Sequence, residues 1–110
     1  MNKYSAMKCE IDGVVFDSRR EARRYQELKL LLRAGEIQDL ELQPEYVLQP
    51  KYKKNGRTVR AIKYKADFRY YDNNRKTWIV EDVKGHKTKV YRIKKKLLEY
   101  QHPDVVITEI

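Results

Sequence analysis

A chain of 110 residues is long enough for one modest core, so residues 1–110 are expected to form one domain. Its 25 lysines and arginines outnumber its 16 acidic residues, and nine tyrosines supply most of its aromatic rings. This composition favours a polyanionic partner such as nucleic acid, although basic charge also serves solubility. The single cysteine, Cys9, excludes an internal disulfide, and no long apolar run follows the N-terminus. A cytoplasmic protein without a signal peptide or a membrane span is therefore expected.

The first third of the chain predicts a hairpin followed by a helix. Asp12-Gly13 lies between two short β-prone runs, which is a type I′ hairpin signal. Ser18 and Glu21 have the spacing of a capping box, and Gly35 marks the end of the helix. An apolar stripe at helical spacing runs through Glu21, Tyr25, Leu28 and Leu32. Glu21 is therefore expected on the inner side of the helix, away from the outward-facing arginines.

Extended structure is predicted for the middle of the chain. Residues 40–48 have a strand pattern, and Asn55-Gly56 is expected to join residues 46–54 to a long strand over residues 57–71 as a second hairpin. Alternate residues of the long strand should form a core face and a basic face. The predicted core face contains Ile62, Tyr64, Ala66, Phe68 and Tyr70, and the basic face contains Lys63, Lys65, Asp67, Arg69 and Tyr71.

The last third predicts a strand, a helix and a short terminal strand. Residues 77–84 form the strand, Thr88 caps the helix, and residues 105–108 form the terminal strand. The apolar stripe of this helix is predicted to consist of Val90, Ile93 and Leu97. The expected fold class is α/β (α+β), with a central mixed β-sheet of an antiparallel meander plus the terminal strand. Two helices flank this sheet, and the N-terminal hairpin precedes it.

Two aspartates and a lysine are predicted to share one face of this sheet. Asp82 and Lys84 point to one side of an extended strand, while Val83 points to the other. A four-residue loop after residue 72 would set Asp67 directly opposite Asp82, and a two-residue loop would set it opposite Val80. Asp67, Asp82 and Lys84 stay on one face in either register.

This cluster has two interpretations. Two carboxylates beside a lysine suit a divalent cation with a fixed positive charge next to it. The same residues could instead form an ordinary cross-strand salt-bridge cluster. A one-residue bulge would move Asp67 opposite Glu81, which otherwise points to the other face and is left out of the predicted site.

The order and spacing of these residues resemble a known enzyme superfamily. Asp67, Asp82-Val83-Lys84 and an upstream helical Glu21 resemble the PD-(D/E)XK nucleases, which include restriction enzymes, phage exonucleases and Holliday junction resolvases. Further segments resemble small phage and prophage proteins of that superfamily, over nearly the whole chain. These segments are Phe16-Asp17-Ser18, Glu21-Ala22, Leu40-Glu41-Leu42-Gln43-Pro44, Ala66-Asp67-Phe68, Asp82-Val83-Lys84-Gly85, and Lys87-Thr88 with Tyr91. Ala66 stands where the superfamily's name places proline.

The resemblance implies a restriction-endonuclease-like core and a magnesium-dependent deoxyribonuclease, with Mn²⁺ as an alternative metal. Asp67 and Asp82 would hold the metal, together with Glu21 and the Val83 carbonyl. Lys84 would orient the attacking water and stabilise the developing negative charge. Glu21 also has a simpler interpretation as the second half of the capping box.

Two basic clusters are predicted to bind the DNA backbone without reading its sequence. One surrounds the Asn55-Gly56 hairpin and the long strand, and the other begins the second helix. The predicted DNA-binding residues are Lys51, Lys53, Lys54, Arg57, Lys63, Lys65, Lys87, Lys89 and Arg92.

The expected function is therefore an endonuclease acting on DNA, and by family analogy on branched DNA such as Holliday junctions in phage recombination or DNA processing. A phage-encoded protein would act in the host cytoplasm. Cutting two strands together would require a homodimer, because a domain of this size has one active site. The alternatives are a non-catalytic basic nucleic-acid-binding protein and an RNA-binding accessory protein.

Overall fold

The computed structural model describes residues 8–83 and 87–110 of the chain. Within these residues the structure is a mixed α+β fold whose strand pairs are mainly antiparallel. Its helices are α1 (Arg19–Arg33) and α2 (Lys89–Gln101). Its strands are β1 (Cys9–Ile11), β2 (Val14–Phe16), β3 (Ile37–Leu42), β4 (Glu45–Gln49), β5 (Tyr52–Lys54), β6 (Arg57–Val59), β7 (Ile62–Lys65), β8 (Phe68–Asp72), β9 (Thr77–Asp82) and β10 (Val106–Glu109).

A four-stranded sheet in the order β10-β9-β8-β3 forms the centre of the fold. Strands β3, β8 and β9 are antiparallel neighbours, and β10 pairs in parallel with β9. Helix α2 connects β9 to β10, as the crossover between parallel strands requires. The predicted mixed sheet, an antiparallel meander plus a terminal strand, is confirmed.

Each helix covers one face of the sheet, and alternate residues of β9 pack against different helices. Ile79 packs with Leu28 of α1, whereas Val80 packs with Leu98 of α2. The first core also contains Phe68, and the N-terminal hairpin joins it through Phe16. The structure is therefore layered, with α1 and the hairpin on one face and α2 on the other.

Local signals in the sequence determine both helix starts and both tight turns. Ser18 accepts a hydrogen bond from the Glu21 N–H at 3.1 Å, and Thr88 accepts one from the Tyr91 N–H at 3.0 Å. Asn55 and Gly56 have positive φ angles of 52° and 74°, which a type I′ turn requires at both central positions. Asp12 and Gly13 have the same conformation in the first hairpin. These four predictions are confirmed.

The predicted long strand over residues 57–71 is wrong, since the chain there forms β6, β7 and β8 in succession. The strand that pairs with it is also interrupted, between β3 and β4. At this interruption the Gln43 N–H donates to the Asp67 carbonyl and the Ala66 N–H donates to the Pro44 carbonyl. Gln43 has a positive φ of 52° at this bend. The pair of antiparallel strands therefore bends between β3–β8, in the central sheet, and β4–β7, which lie beyond it.

The bend separates the residues that were predicted to share one core face. Tyr64 and Ala66 precede it and pack in the α2 core, whereas Phe68 and Tyr70 follow it and pack in the α1 core. Ile62, the fifth member of the predicted face, is exposed. Strict alternation fails here because the period of two holds only within an uninterrupted strand.

Beyond the bend, β4 pairs with β7 and β5 pairs with β6, forming a hairpin arm over residues 45–65. The base of the arm contributes Tyr64 to the α2 core. Side chains at its distal end, residues 51–58, are exposed. The arm therefore carries its basic residues away from the central sheet.

The apolar stripe predicted for α2 is also wrong. Val90 and Ile93 are 61% and 60% exposed, and Leu97 is exposed as well. The buried side of α2 contains Tyr91 and Leu98 instead. The helix is therefore rotated relative to the prediction, with Tyr91 on its inner face, where the Tyr91 hydroxyl donates to Glu109 Oε2 at 2.9 Å.

Candidate active site

Asp67 and Asp82 come together at one edge of the central sheet, where β8 begins and β9 ends. Asp72 pairs with Thr77 across the four-residue loop, and Phe68 pairs with Glu81, so the first of the two predicted registers is the observed one. Asp67 lies at the bend, where its N–H donates to the Glu81 carbonyl at 3.0 Å. Its side-chain Oδ2 accepts the Val83 N–H at 2.6 Å. The Asp67 carboxylate therefore fixes the end of β9.

Asp82 is fully buried, at 0% exposure, on the face covered by α2. Its Oδ2 accepts a hydrogen bond from the Tyr64 hydroxyl. The ring of Tyr91 lies beside that of Tyr64, with centroids 6.2 Å apart. Burial raises the pKa of Tyr91, and its hydrogen bond to Glu109 and the negative charge of Asp82 raise it further. Two tyrosines thus cover a buried carboxylate.

Glu81 faces the opposite side of the sheet, as predicted, and has its own partners there. Arg24 binds it in a bidentate geometry, with Nε 2.7 Å from Oε1 and Nη2 2.6 Å from Oε2. The Tyr70 hydroxyl also donates to Oε2. The hydrogen bond to Glu81 raises the pKa of Arg24, and burial raises that of Tyr70. Glu81 is therefore an anchor between α1 and the sheet.

Sequence reasoning missed this anchor, although the sequence contained a signal for it. Arg24 follows Glu21 by three residues and precedes Leu28 by four, so it lies on the inward side of α1. An arginine at such a position needs a carboxylate partner when it is buried. Glu81 is the strand carboxylate that points to that face.

Glu21 lies in the first turn of α1 and is half-buried. Its N–H contributes to the helix cap. Over residues 8–83 and 87–110, no three His, Cys, Asp or Glu side chains lie close enough together to hold a metal ion. The structure therefore brings Asp67 and Asp82 together but does not add Glu21 to them as a third ligand. Lys84, the remaining predicted catalytic residue, lies outside the described residues.

Val83 is the fourth residue predicted as a metal ligand. Its side chain packs in the α1 core and its N–H is held by Asp67, which places its backbone at the same sheet edge. An Mg²⁺ ion is typically held by one or two carboxylates, with water and substrate phosphates completing its octahedron. Asp67 and Asp82 supply two such oxygen donors, so the donor chemistry of this edge fits Mg²⁺ or Mn²⁺.

The predicted DNA-binding residues are all exposed in the structure. They occupy three places: the distal end of the arm, strand β7 and the start of α2. Lys51, Lys53, Lys54 and Arg57 lie at the distal end, Lys63 and Lys65 lie on β7, and Lys87, Lys89 and Arg92 lie at the start of α2.

A groove of about 250 Å³ lies between β7 and α2. Lys63, Lys65 and Lys94 line it, together with Tyr64 and Tyr91. One of these lining residues, Tyr64, donates its hydroxyl hydrogen bond to the buried carboxylate of Asp82. Thr88, the N-cap residue of α2, also lines the groove. The N-terminus of a helix attracts anions through its free N–H groups and its dipole.

The described residues therefore form a two-helix α+β structure with a carboxylate pair at one edge of a mixed sheet and a lysine-lined groove between β7 and α2. No helix among them is long and apolar enough to span a membrane.

The chain belongs to a protein family of unknown function, DUF1064, whose family model matches residues 1–110. No curated protein matches the chain, and no solved structure matches it.

Proposed function

We propose that this protein is a metal-dependent endodeoxyribonuclease of the PD-(D/E)XK type, with Asp67 and Asp82 as metal ligands. The observation that carries the proposal is the groove between β7 and α2, which is lined by three lysines and by Tyr64, the residue whose hydroxyl binds the buried carboxylate of Asp82. A nuclease needs both parts, because the lysines attract the phosphate backbone and the carboxylates place a cation at the bond to be cut.

Phosphodiester hydrolysis needs a cation because the phosphate already repels a nucleophile and gains negative charge as water adds. When bound, Mg²⁺ or Mn²⁺ would supply the charge stabilisation and the activated water. The chain's own residues would then orient the strand. Lys63 and Lys65 hold the backbone in the groove, and Asp67 fixes the end of β9 through the Val83 N–H.

Cleavage of a labelled four-way junction, a matched duplex and a single strand, in Mg²⁺ and in Mn²⁺, tests the proposal. The wild type should cut at least one of the three substrates. Asp82→Asn and Asp67→Asn should each slow cutting at least about 100-fold, because groups that merely support metal ligands already cost 10- to 100-fold. Lys84→Ala should also slow it strongly, since its predicted role is at the reacting phosphate.

Asp39→Asn is the matched control, because Asp39 is an exposed carboxylate on β3 with a positive φ that asparagine also tolerates. It should cut like the wild type. Urea unfolding should show that every variant is folded. Absence of cutting on all three substrates by the folded wild type, or full activity of Asp82→Asn, would contradict the proposal.

A non-catalytic DNA-binding protein is the second candidate. The complete burial of Asp82, whose carboxylate accepts a hydrogen bond from Tyr64, favours it. It predicts salt-sensitive DNA binding that Asp82→Asn leaves unchanged, with no cutting in either metal. The same set of substrates and variants therefore decides between the two functions.

A further inference from the structure

A second groove, separate from the lysine-lined one, lies at the other end of α2. It has a volume of about 240 Å³ and is lined by Tyr46, Arg69, Trp78, His102, Asp104 and Val105. This volume is below the several hundred Å³ of sites for larger ligands, so it suits a single flat group. The groove has no part in the proposed cleavage site.

Aromatic rings and a guanidinium plane form the walls of this groove. The Arg69 guanidinium carbon lies 5.3 Å from the Trp78 ring centroid and 5.9 Å from that of Tyr46. The His102 ring lies 5.4 Å from the Tyr46 ring. Arg69 itself occupies the cationic position between the rings, which argues against an aromatic cage for a cationic ligand.

The polar atoms of the groove fit a neutral ring better than a phosphate. Arg69 Nη2 is already paired with Glu41, and Asp104 adds a further carboxylate that would repel a phosphate. Arg69 Nε is buried, and no hydrogen-bond acceptor within the described parts of the chain reaches it. A ligand that stacks, offers an acceptor to Arg69 and offers a donor to Asp104 would satisfy all of these groups.

Trp78 and Asp82 lie on the same face of β9, four residues apart. At about 3.3 Å per residue, they are about 13 Å apart along the strand. A nucleic acid strand lying against Asp82 could therefore reach the groove with a base a short distance along the same chain.

We propose that the groove formed by Tyr46, Arg69, Trp78 and His102 holds one unpaired nucleobase of a DNA strand by stacking. This inference rests on the DNA partner of the proposed function and adds a requirement for single-stranded character near the site of cutting. Base stacking tolerates any sequence, since every base has a π-face.

Trp78 is the only tryptophan of the chain, so its fluorescence reports directly on the groove. The experiment titrates the full chain, in EDTA, with a thymidine decanucleotide and with an abasic decamer of the same length. The thymidine oligonucleotide should quench Trp78 emission to saturation. The abasic decamer should bind the lysines, as seen by anisotropy of a labelled copy, without comparable quenching.

Tyr46→Leu and Arg69→Lys should weaken binding of the thymidine oligonucleotide about 5- to 150-fold, the range expected for loss of one stacked base. Tyr100→Leu is the matched control, because Tyr100 lies on α2 outside the groove and is exposed. It should bind like the wild type. Urea unfolding should confirm that each variant is folded.

Equal quenching by the abasic decamer, or equal affinities of Tyr46→Leu and Tyr100→Leu, would overturn the inference. Because the titration contains no metal, its result is separate from cleavage. Quenching that follows this pattern without any cutting would support the base site and contradict the nuclease. Cutting without quenching would support the nuclease and contradict the base site.

Discussion

The ion pair between Arg24 and Glu81 is the residue-scale feature on which the position of α1 depends. Glu81 is buried on the α1 face and receives two hydrogen bonds from Arg24 and one from Tyr70. A buried carboxylate is tolerated only when its charge is compensated and its oxygens are hydrogen-bonded. The pair therefore specifies how α1 docks on the sheet, whatever its net contribution to stability.

Arg24→Ala should lower the free energy of unfolding by about 3–5 kcal/mol, because it leaves the Glu81 charge buried without its cation. Urea unfolding monitored by circular dichroism measures this change. Arg23→Ala, at the exposed neighbouring position, should change it by less than about 0.5 kcal/mol. Equal effects of the two substitutions would refute the role assigned to Arg24.

At this scale the sequence predicted which side chains face which side, but not what they contact. Alternation along the strand predicted that Asp82 and Glu81 face opposite sides of the sheet, and they do, although Asp82 is fully buried rather than on a surface. The partners of both residues come from elements distant in sequence. Arg24, Tyr64 and Tyr70 could be assigned only once the packing of α1 and the bend of the ribbon were known.

The rotation of α2 shows what sequence pattern can miss at the scale of an element. Val90, Ile93 and Leu97 repeat at helical spacing, yet they lie on the outer side of the helix. Tyr91 and Leu98 share a second stripe with a similar period, and this one packs on the sheet. When a helix has two stripes, periodicity alone does not determine which one is buried.

Two adjacent leucines of α2 test this orientation directly. Leu98 is 0% exposed and Leu97 is 41% exposed. Leu98→Ala should cost about 2–5 kcal/mol of unfolding free energy, since it removes a fully buried side chain and leaves a cavity. Leu97→Ala should cost less than about 1 kcal/mol by the same urea measurement. A larger loss for Leu97→Ala would mean that the predicted stripe is the buried one.

Elements defined by local chemistry were predictable, whereas those defined by distant contacts were not. Ser18 and Thr88 cap their helices through hydrogen bonds within three residues, and Asn55-Gly56 forms its turn through its own backbone preferences. The break at Ala66 and Asp67 has no such local signal. It depends on pairing with Gln43 and Pro44, more than twenty residues earlier in the chain.

The whole molecule is more extended than a compact domain of its length. Its radius of gyration is 16.0 Å, against about 13 Å expected for a compact chain of 110 residues. Its net charge of +9 adds a long-range attraction for polyanions, which falls as salt is added. Shape and charge together present a broad basic surface.

The stability of the molecule should decline at both ends of the pH range. Hydrogen bonds from Tyr91 and Lys95 lower the pKa of Glu109 below its ordinary 4.5. The stability that ionised Glu109 contributes to the folded state is therefore fully present above pH 4.5 and is lost as the pH falls through the folded-state pKa. Burial raises the pKa of Tyr70 and Tyr91, so unfolding becomes easier as the pH rises above about 10, where unfolded tyrosines ionise.

Urea midpoints measured from pH 3 to pH 11 test this dependence. Glu109→Gln should flatten the acid side of the curve, and Tyr91→Phe should flatten the alkaline side. Curves for both variants that run parallel to the wild type at every pH would show that these groups do not cause the decline.

The two ends of the hairpin arm differ in how much the fold depends on them. The base of the arm packs in the α2 core through Tyr64, whereas the distal end is exposed. Its distal end, residues 51–58, contributes no buried side chain. Doubling the length of a flexible loop costs only about 0.6 kcal/mol. Insertions, deletions and charge changes there are therefore expected to leave the fold intact.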